Sequence, residues 1–369
     1  MITRYLRPTR YFTAGTRHGP PSEDVEPAPA IRARALAKTY PDGAAVRGVD
    51  LTVGAGETFG FLGPNGAGKT TTISMLCTLT APTSGRAWVA GHDVAAASHQ
   101  VRRHIGLVFQ EMTLDQGLTA WENLRFHARL YGLPTAVAHE RAAALLDLVE
   151  LGDRRDSLVR TFSGGMKRRL EIVRGLMHRP RVLFLDEPTL GLDPQTRAQI
   201  WDHLHQLRRR ETITLFLTTH YLDEAEQCDR IAIIDEGRII AEGSPDRLKS
   251  VIGADRVELR TRDDTAAAER LRTEFGLDVD FIPQGPGDPG GGADGSEGGG
   301  AGRLSVRVAD GAAFVPRLCA GLGVAVESVT VVRPSLDDVF FHYTGRNIRE
   351  DGAPRLPGAR VPLTPEARS

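Results

Sequence analysis

The chain has 369 residues, 41 % of them hydrophobic and 25 % charged, with a formal net charge of −1. Those fractions belong to a globular chain rather than a disordered one. The near-neutral balance supplies no basic field, so no nucleic-acid partner is expected. No stretch approaches the roughly 18 consecutive apolar residues of a membrane-spanning helix. Cys77, Cys228 and Cys319 lie far apart with no CxxC pair, which fits a reducing compartment and argues against a disulfide framework or a zinc site.

In chain order, residues 1–30 read as a disordered extension. Pro20, Pro21, Pro27 and Pro29 interrupt it, and Arg4, Arg7 and Arg10 lack the apolar run of a secretory signal. Ile31 to Thr39 and Val46 to Val53 read as strands around a Pro41-Asp42-Gly43 turn. A third strand, Thr58 to Leu62, runs into a glycine-rich stretch with a helix from Lys69. The region 111–160 reads as helical. Thr119 with Glu122 three residues on makes a capping box, and a helix through Leu145, Leu146, Leu148, Val149 and Leu151 is expected to stop at Gly152.

The apolar run Val182-Leu183-Phe184-Leu185 fits a strand buried on both faces of a parallel sheet. Thr212 to Thr219 is a further strand, and Ile231 to Ala241 a hairpin turning at Glu236-Gly237. Beyond residue 250 the segments Val257–Thr261, Ala266–Phe275, Val279–Ile282, Leu304–Val308, Phe314–Leu322 and Val324–Val332 read strand, helix, strand, strand, helix, strand. That is the order of a ferredoxin-like unit. Ten of the 40 glycines fall within 283–302, which reads as a flexible loop, and 346–369 reads as a disordered tail.

Three motifs carry chemistry. Gly63, Pro64, Asn65, Gly66, Ala67, Gly68, Lys69 and Thr70 satisfy GxxxxGK[ST] between an expected strand and an expected helix, with Thr71 following. Glycines let backbone N–H groups curl around phosphate oxygens, and a helix N-terminus adds a favourable field. Lys69 would reach the β- and γ-phosphates of ATP, and Thr70 would ligate Mg²⁺. The strand ending in Asp186-Glu187 offers two carboxylates, Asp186 for Mg²⁺ and Glu187 to polarise the attacking water. Only four lysines occur (Lys38, Lys69, Lys167, Lys249) against 42 arginines, which reads as base-composition bias and singles out each lysine.

The third motif, Ser163-Gly164-Gly165-Met166 after Phe162, resembles the LSGGQ signature of ATP-binding cassette (ABC) ATPases, with Phe162 and Met166 in place of Leu and Gln. The resemblance covers about 31–250. It implies an α/β P-loop NTPase fold with an antiparallel β subdomain and a helical subdomain, beside the small C-terminal ferredoxin-like α+β domain at 251–345. It also implies a head-to-tail dimer in which one copy's signature closes over ATP on the other. Tyr40 matches the adenine-stacking aromatic. Gln110 matches the glutamine that contacts Mg²⁺ and the attacking water. Asp193 matches the dimer-interface loop, and His220 the histidine on the γ-phosphate.

Val108 to Pro134 resembles drug exporters. The run Leu336-Asp337-Asp338-Val339-Phe340 resembles the tail of daunorubicin-resistance ATPases, where it implies assembly with a membrane subunit. The same run also reads as a short amphipathic helix that closes the small domain. The resemblance thus implies the ATPase of a drug exporter, peripheral on the cytoplasmic face of the membrane and working with an integral membrane permease. Lipid or polysaccharide export and a non-transport cassette ATPase are the alternatives.

Overall fold

The computed structural model describes residues 28–253, 255–283 and 302–345. The N-terminal extension up to residue 27, most of the glycine-rich stretch and the tail beyond 345 lie outside the described residues. β1 (Ile31–Tyr40) pairs antiparallel with β2 (Gly43–Val53) around the expected turn. Alternation turns Ile31 and Ala33 inward and leaves Arg32 and Arg34 in solvent, the pattern of a sheet with one wet face.

β3 (Thr58–Leu62) is buried at all five positions and leads through the glycine loop into α1 (Lys69–Leu76). β4 (Ser84–Val89) and β5 (His92–Asp93) complete a four-stranded sheet in the order β2-β1-β4-β5. α2 (Ser98–His104) then feeds β6 (Ile105–Val108).

The helical region consists of α3 (Ala120–Leu130) and α4 (Thr135–Leu148). The capping box at Thr119 and Glu122 forms as expected. Gly152 does not stop α4. The helix ends at Leu148, Glu150 takes the left-handed turn with φ 56°, and Gly152 begins a short 3-10 turn.

The remaining elements of the first unit are α5 (Gly164–Leu176), β7 (Val182–Asp186), α6 (Pro194–Glu211), β8 (Thr214–Thr219), α7 (Leu222–Ala225), β9 (Arg230–Asp235), β10 (Arg238–Gly243) and α8 (Pro245–Ile252). β8 begins two residues later than expected, because Thr212 caps α6 in the left-handed conformation. The central sheet has the order β10-β9-β3-β8-β7-β6, parallel except for the β9–β10 hairpin. β3, β7 and β8 are buried throughout, so they read as continuous apolar runs rather than alternating ones. Their C-terminal ends share one sheet edge. The phosphate loop, Asp186-Glu187 and His220 therefore emerge together, where parallel α/β sheets bind ligands.

β11 (Asp255–Thr261), α9 (Asp264–Thr273), β12 (Val279–Pro283), β13 (Gly302–Val308), α10 (Gly311–Gly321) and β14 (Val326–Val332) follow. They form an antiparallel sheet in the order β12-β13-β11-β14. Val257, Leu259, Leu304 and Val306 face Leu271 and Leu318 of the two helices in a separate core. The last helix, α11 (Leu336–Thr344), corrects one expectation: it does not close this small unit. It packs on α8, and Leu336, Val339 and Phe340 join the main core of the first unit beside Leu248. An amphipathic pattern says which face of a helix is buried but not against which core.

Candidate functional site

The glycine loop holds its shape through backbone constraints. Gly68 caps α1 with φ 105°, and a Cβ there would stand 2.5 Å from the Ala45 carbonyl, so a side chain is excluded twice. Gly63, Pro64, Asn65, Gly66 and Ala67 make up the rest of the turn, and the Ala67 carbonyl accepts from Gly237 N at 3.0 Å. Thr71 lies half-buried in the first turn of α1.

Lys69 is buried and turns back over its own loop. Its Nζ donates to the carbonyls of Gly63 at 2.7 Å and Pro64 at 3.1 Å, and lies 3.3 Å from Glu187 Oε1. Thr70 Oγ1 donates to Asp186 Oδ1 at 3.3 Å. Thr218, near the end of β8, donates to the same oxygen at 2.5 Å, and its hydroxyl accepts from Glu187 N at 3.0 Å. His220 Nδ1 lies 3.3 Å from Glu187 Oε1.

The structure thus brings Lys69, Thr70, Asp186, Glu187 and His220 into one contact set, as the sequence motifs require. Burial pushes the Glu187 carboxyl up, but the His220 hydrogen bond and the Lys69 charge outweigh it and hold the group below its ordinary value. Glu187 also sits in the left-handed region, with φ 45°. A glutamate accepts that strain where the surrounding contacts over-determine it.

One carboxylate and two hydroxyls around Asp186 are hard oxygen groups, the chemistry that Mg²⁺ takes alongside phosphate oxygens and water. Among the described residues no group of three or more His, Cys, Asp and Glu could hold a metal by itself. A magnesium site here would therefore be shared with a nucleotide.

The other expected residues lie outside this contact set. Tyr40 stands at the end of β1, 40 % exposed, with Lys38 Nζ 5.1 Å above its ring. Gln110 is exposed just beyond β6. Ser163 caps α5 by accepting from Met166 N at 3.3 Å and, with Gly164, faces solvent. A helix N-terminus presented in this way is an anion-binding end. Gly165 is buried because α5 crosses the start of α6 closely, and a Cβ on it would come within 2.4 Å of Thr196 Cγ2. Asp193 caps α6, accepting from Thr196 N at 2.9 Å and Thr196 Oγ1 at 2.7 Å, and these bonds hold its carboxyl below the ordinary value.

Sequence reasoning passed over three buried groups. Thr218 is a strand residue whose hydroxyl serves both Asp186 and Glu187. Glu224, wholly buried in α7, accepts from the Thr189 hydroxyl, and burial raises its carboxyl despite that bond. Arg168 and Glu171 pair inside α5 at 3.1 Å. The sequence signal for Arg168 was hidden by the 42 arginines of this chain.

Comparison with known proteins fits this geometry. Residues 46–190 match the model of the ABC transporter family. The daunorubicin/doxorubicin resistance ATP-binding protein DrrA of Streptomyces peucetius is 50 % identical over 260 residues, 69 % of this chain and 78 % of that protein. The daunorubicin resistance ATP-binding protein DrrA3 of Streptomyces coeruleorubidus is 41 % identical over 329 residues, 87 % of this chain and 98 % of that one. Among solved structures, the dimeric post-hydrolysis state of the ATP-binding cassette MJ0796, bound to ADP and Pi, superposes with a TM-score of 0.53 at 27 % identity. It covers 58 % of this chain and 98 % of that one.

Proposed function

The chain belongs to the ABC transporter family of ATP-hydrolysing subunits, and on that premise we propose that it powers export of a drug- or antibiotic-like small molecule through a separate membrane subunit. The observation that carries the catalytic part is the meeting of Lys69, Thr70, Asp186, Glu187 and His220 at one edge of the parallel sheet. ATP binds with its phosphates in the loop 63–70, and its adenine stacks on Tyr40. Lys69 leaves Glu187 and the loop carbonyls to meet the β- and γ-phosphates as a compact charge. That exchange frees the Glu187 carboxylate, already ionised, to orient water for in-line attack. His220 moves with it toward the γ-phosphate.

Thr70, Asp186 and Gln110 are the residues that would hold Mg²⁺, which when bound neutralises charge on the phosphate oxygens. The start of α5, Ser163 to Met166, presents Ser163 and Gly164 to solvent and is the end that would meet a phosphate held by another chain. A second copy placed head to tail brings one, so two ATP molecules lie between two chains, with Asp193 at the interface. The first unit corresponds to a nucleotide-binding domain at 31–250. The β11–β14 sheet with α9 and α10 is a ferredoxin-like accessory domain within 251–345 that supports assembly.

Among the described residues no helix is long and apolar enough to cross a membrane. The path for the substrate is supplied by the permease, on whose cytoplasmic face this chain docks. The choice of a drug rests on the drug-resistance relatives. The test is to isolate the chain with its co-purifying permease, reconstitute the pair, and measure ATP hydrolysis against candidate compounds. Stimulation by a hydrophobic drug supports the reading. Stimulation by lipid or polysaccharide alone refutes the drug class, and recovery on ribosomes or DNA without a membrane partner refutes transport.

A further inference from the structure

Arg168 lies five residues beyond the signature serine, buried inside α5, and its guanidinium is fully used. Nε donates to Pro188 O at 2.5 Å. Nη1 donates to Phe109 O at 2.5 Å and to Glu171 Oε2 at 3.1 Å. Nη2 donates to Asp186 O at 3.1 Å and to Glu187 O at 3.0 Å. Five donors meet five acceptors, the complete inventory of this side chain. Burial disfavours its charge and Glu171 opposes that effect.

Four of the acceptors are main-chain carbonyls from two separate segments: residues 186–188 at the end of β7 and just beyond it, and residue 109 immediately before Gln110. A buried ion pair is weak evidence for stability, because desolvation offsets the attraction. A pair that spends four hydrogen bonds on two catalytic segments has a positional consequence instead. Glu171 and Arg174, about one and two turns further along α5, hold the other end of the same Gln110 segment. Glu171 Oε1 accepts from Thr113 N at 2.6 Å and from the Thr113 hydroxyl at 3.1 Å, and Arg174 Nη1 donates to Thr113 O at 2.9 Å. The exposed residues 110–112 are therefore clamped at both ends to the signature helix.

We propose that Arg168 is a positioning residue for hydrolysis: from the signature helix it fixes the main chain of Glu187 and the start of the Gln110 segment relative to each other. The proposal rests on the reading of Glu187 as the residue that orients the attacking water. All five Arg168 donors are taken by protein acceptors, which leaves none to bind nucleotide or water directly. Its effect falls on turnover and not on ATP binding, and it requires a planar fork with five donors. Lysine keeps the charge but offers three donors from one point, so it cannot span both segments.

The experiment uses the full-length chain. Steady-state ATPase activity is measured for wild type, Arg168→Lys, Glu187→Gln and the double variant, with nucleotide affinity from titration of a fluorescent ATP analogue and folding from thermal denaturation. Arg168→Lys is expected to lose roughly ten- to a hundredfold in kcat, the loss associated with a misplacement of about 1 Å. Its nucleotide affinity should stay within about twofold of wild type. In the Glu187→Gln background the same change should cost less than about twofold more, since both act through one group.

Wild-type kcat in folded Arg168→Lys overturns the proposal, as does a loss that multiplies in full onto that of Glu187→Gln. Wild-type turnover in Glu187→Gln instead overturns the water-orienting role, and the proposal falls with it. If Arg168→Lys fails to fold, Glu171→Gln carries the test. It keeps the four carbonyl contacts but removes the charge that fixes the guanidinium. A several-fold loss of kcat at unchanged nucleotide affinity supports the proposal, and wild-type kcat overturns it.

Discussion

The close crossing of α5 over the start of α6 gives a prediction that needs no ligand. Gly165→Ala places a methyl group 2.4 Å from Thr196 Cγ2, well inside van der Waals contact, while the same methyl stands 3.6 Å from Thr196 Cβ and 3.7 Å from Oγ1. The clash is thus with one methyl group. Thr196 cannot rotate freely to relieve it, because Oγ1 is bonded to Asp193. Overpacking of this kind costs about 1–3 kcal/mol. Alanine recovers up to about 1 kcal/mol of helix propensity, so the single variant alone is a blunt test.

Thr196→Ser removes the clashing methyl, keeps the hydroxyl on Asp193, and should cost no more than about 0.8 kcal/mol for one methyl group. In the double variant the clash is gone, and the propensity term cancels in the cycle. The expected coupling is therefore about 1–3 kcal/mol, with the double variant up to about 1 kcal/mol more stable than Thr196→Ser alone. Urea denaturation of the four proteins measures it. Additive effects, within about 0.5 kcal/mol, would refute the claimed contact between the signature turn and the helix that Asp193 caps.

Three further outcomes are expected. Lys69→Ala removes a cation that faces both the loop carbonyls and Glu187, so ATP affinity should fall at least about tenfold; a change under about twofold in a fluorescent-nucleotide titration contradicts the role. Thr70→Ala removes one of the two hydroxyls on Asp186, so adding Mg²⁺ should no longer strengthen ATP binding as it does for wild type, and an undiminished Mg²⁺ effect counts against the site. His178 is pushed down to about 4 by burial. Its folded value lies below the unfolded one near 6.5, so the unfolded chain binds a proton first. Stability should therefore drop as pH falls from about 6.5 toward 4, by up to about 1.4 kcal/mol per pH unit for this group. His178→Asn should flatten that acid limb of urea midpoints, and an unchanged limb would show that His178 does not contribute.

What the sequence made legible follows from how local each constraint is. The phosphate loop, the strand ending in Asp186-Glu187, and the Thr119–Glu122 cap depend on neighbours within a few residues, so they could be placed from the chain alone. The elements from β4 to α2 were not read, since Ser84 to His104 mixes small, polar and basic residues with little periodicity. Helix α6 was passed over although Ile200, Trp201, Leu204 and Leu207 mark its buried stripe, because long arginine- and glutamine-rich stretches obscure that spacing.

Contacts between distant segments were the harder part. Nothing near Thr218 announces that β8 will carry its hydroxyl to Asp186, 32 residues away. Arg168 could not be told from its neighbours in a Lys-Arg-Arg run, since the distinction is burial and not identity. The pattern of α11 was legible, but its destination on α8 rather than on the small sheet was settled by packing.

The central claim is that this chain binds ATP between two copies and hydrolyses it through Glu187. Its most direct test is Glu187→Gln of the full chain, with bound nucleotide, oligomeric state and single-turnover hydrolysis measured on the same sample. The account predicts ATP held at wild-type affinity, accumulation of a dimer with two ATP molecules, and hydrolysis slowed by about two orders of magnitude or more. Near wild-type turnover, or ATP bound by a chain that stays monomeric, would contradict it.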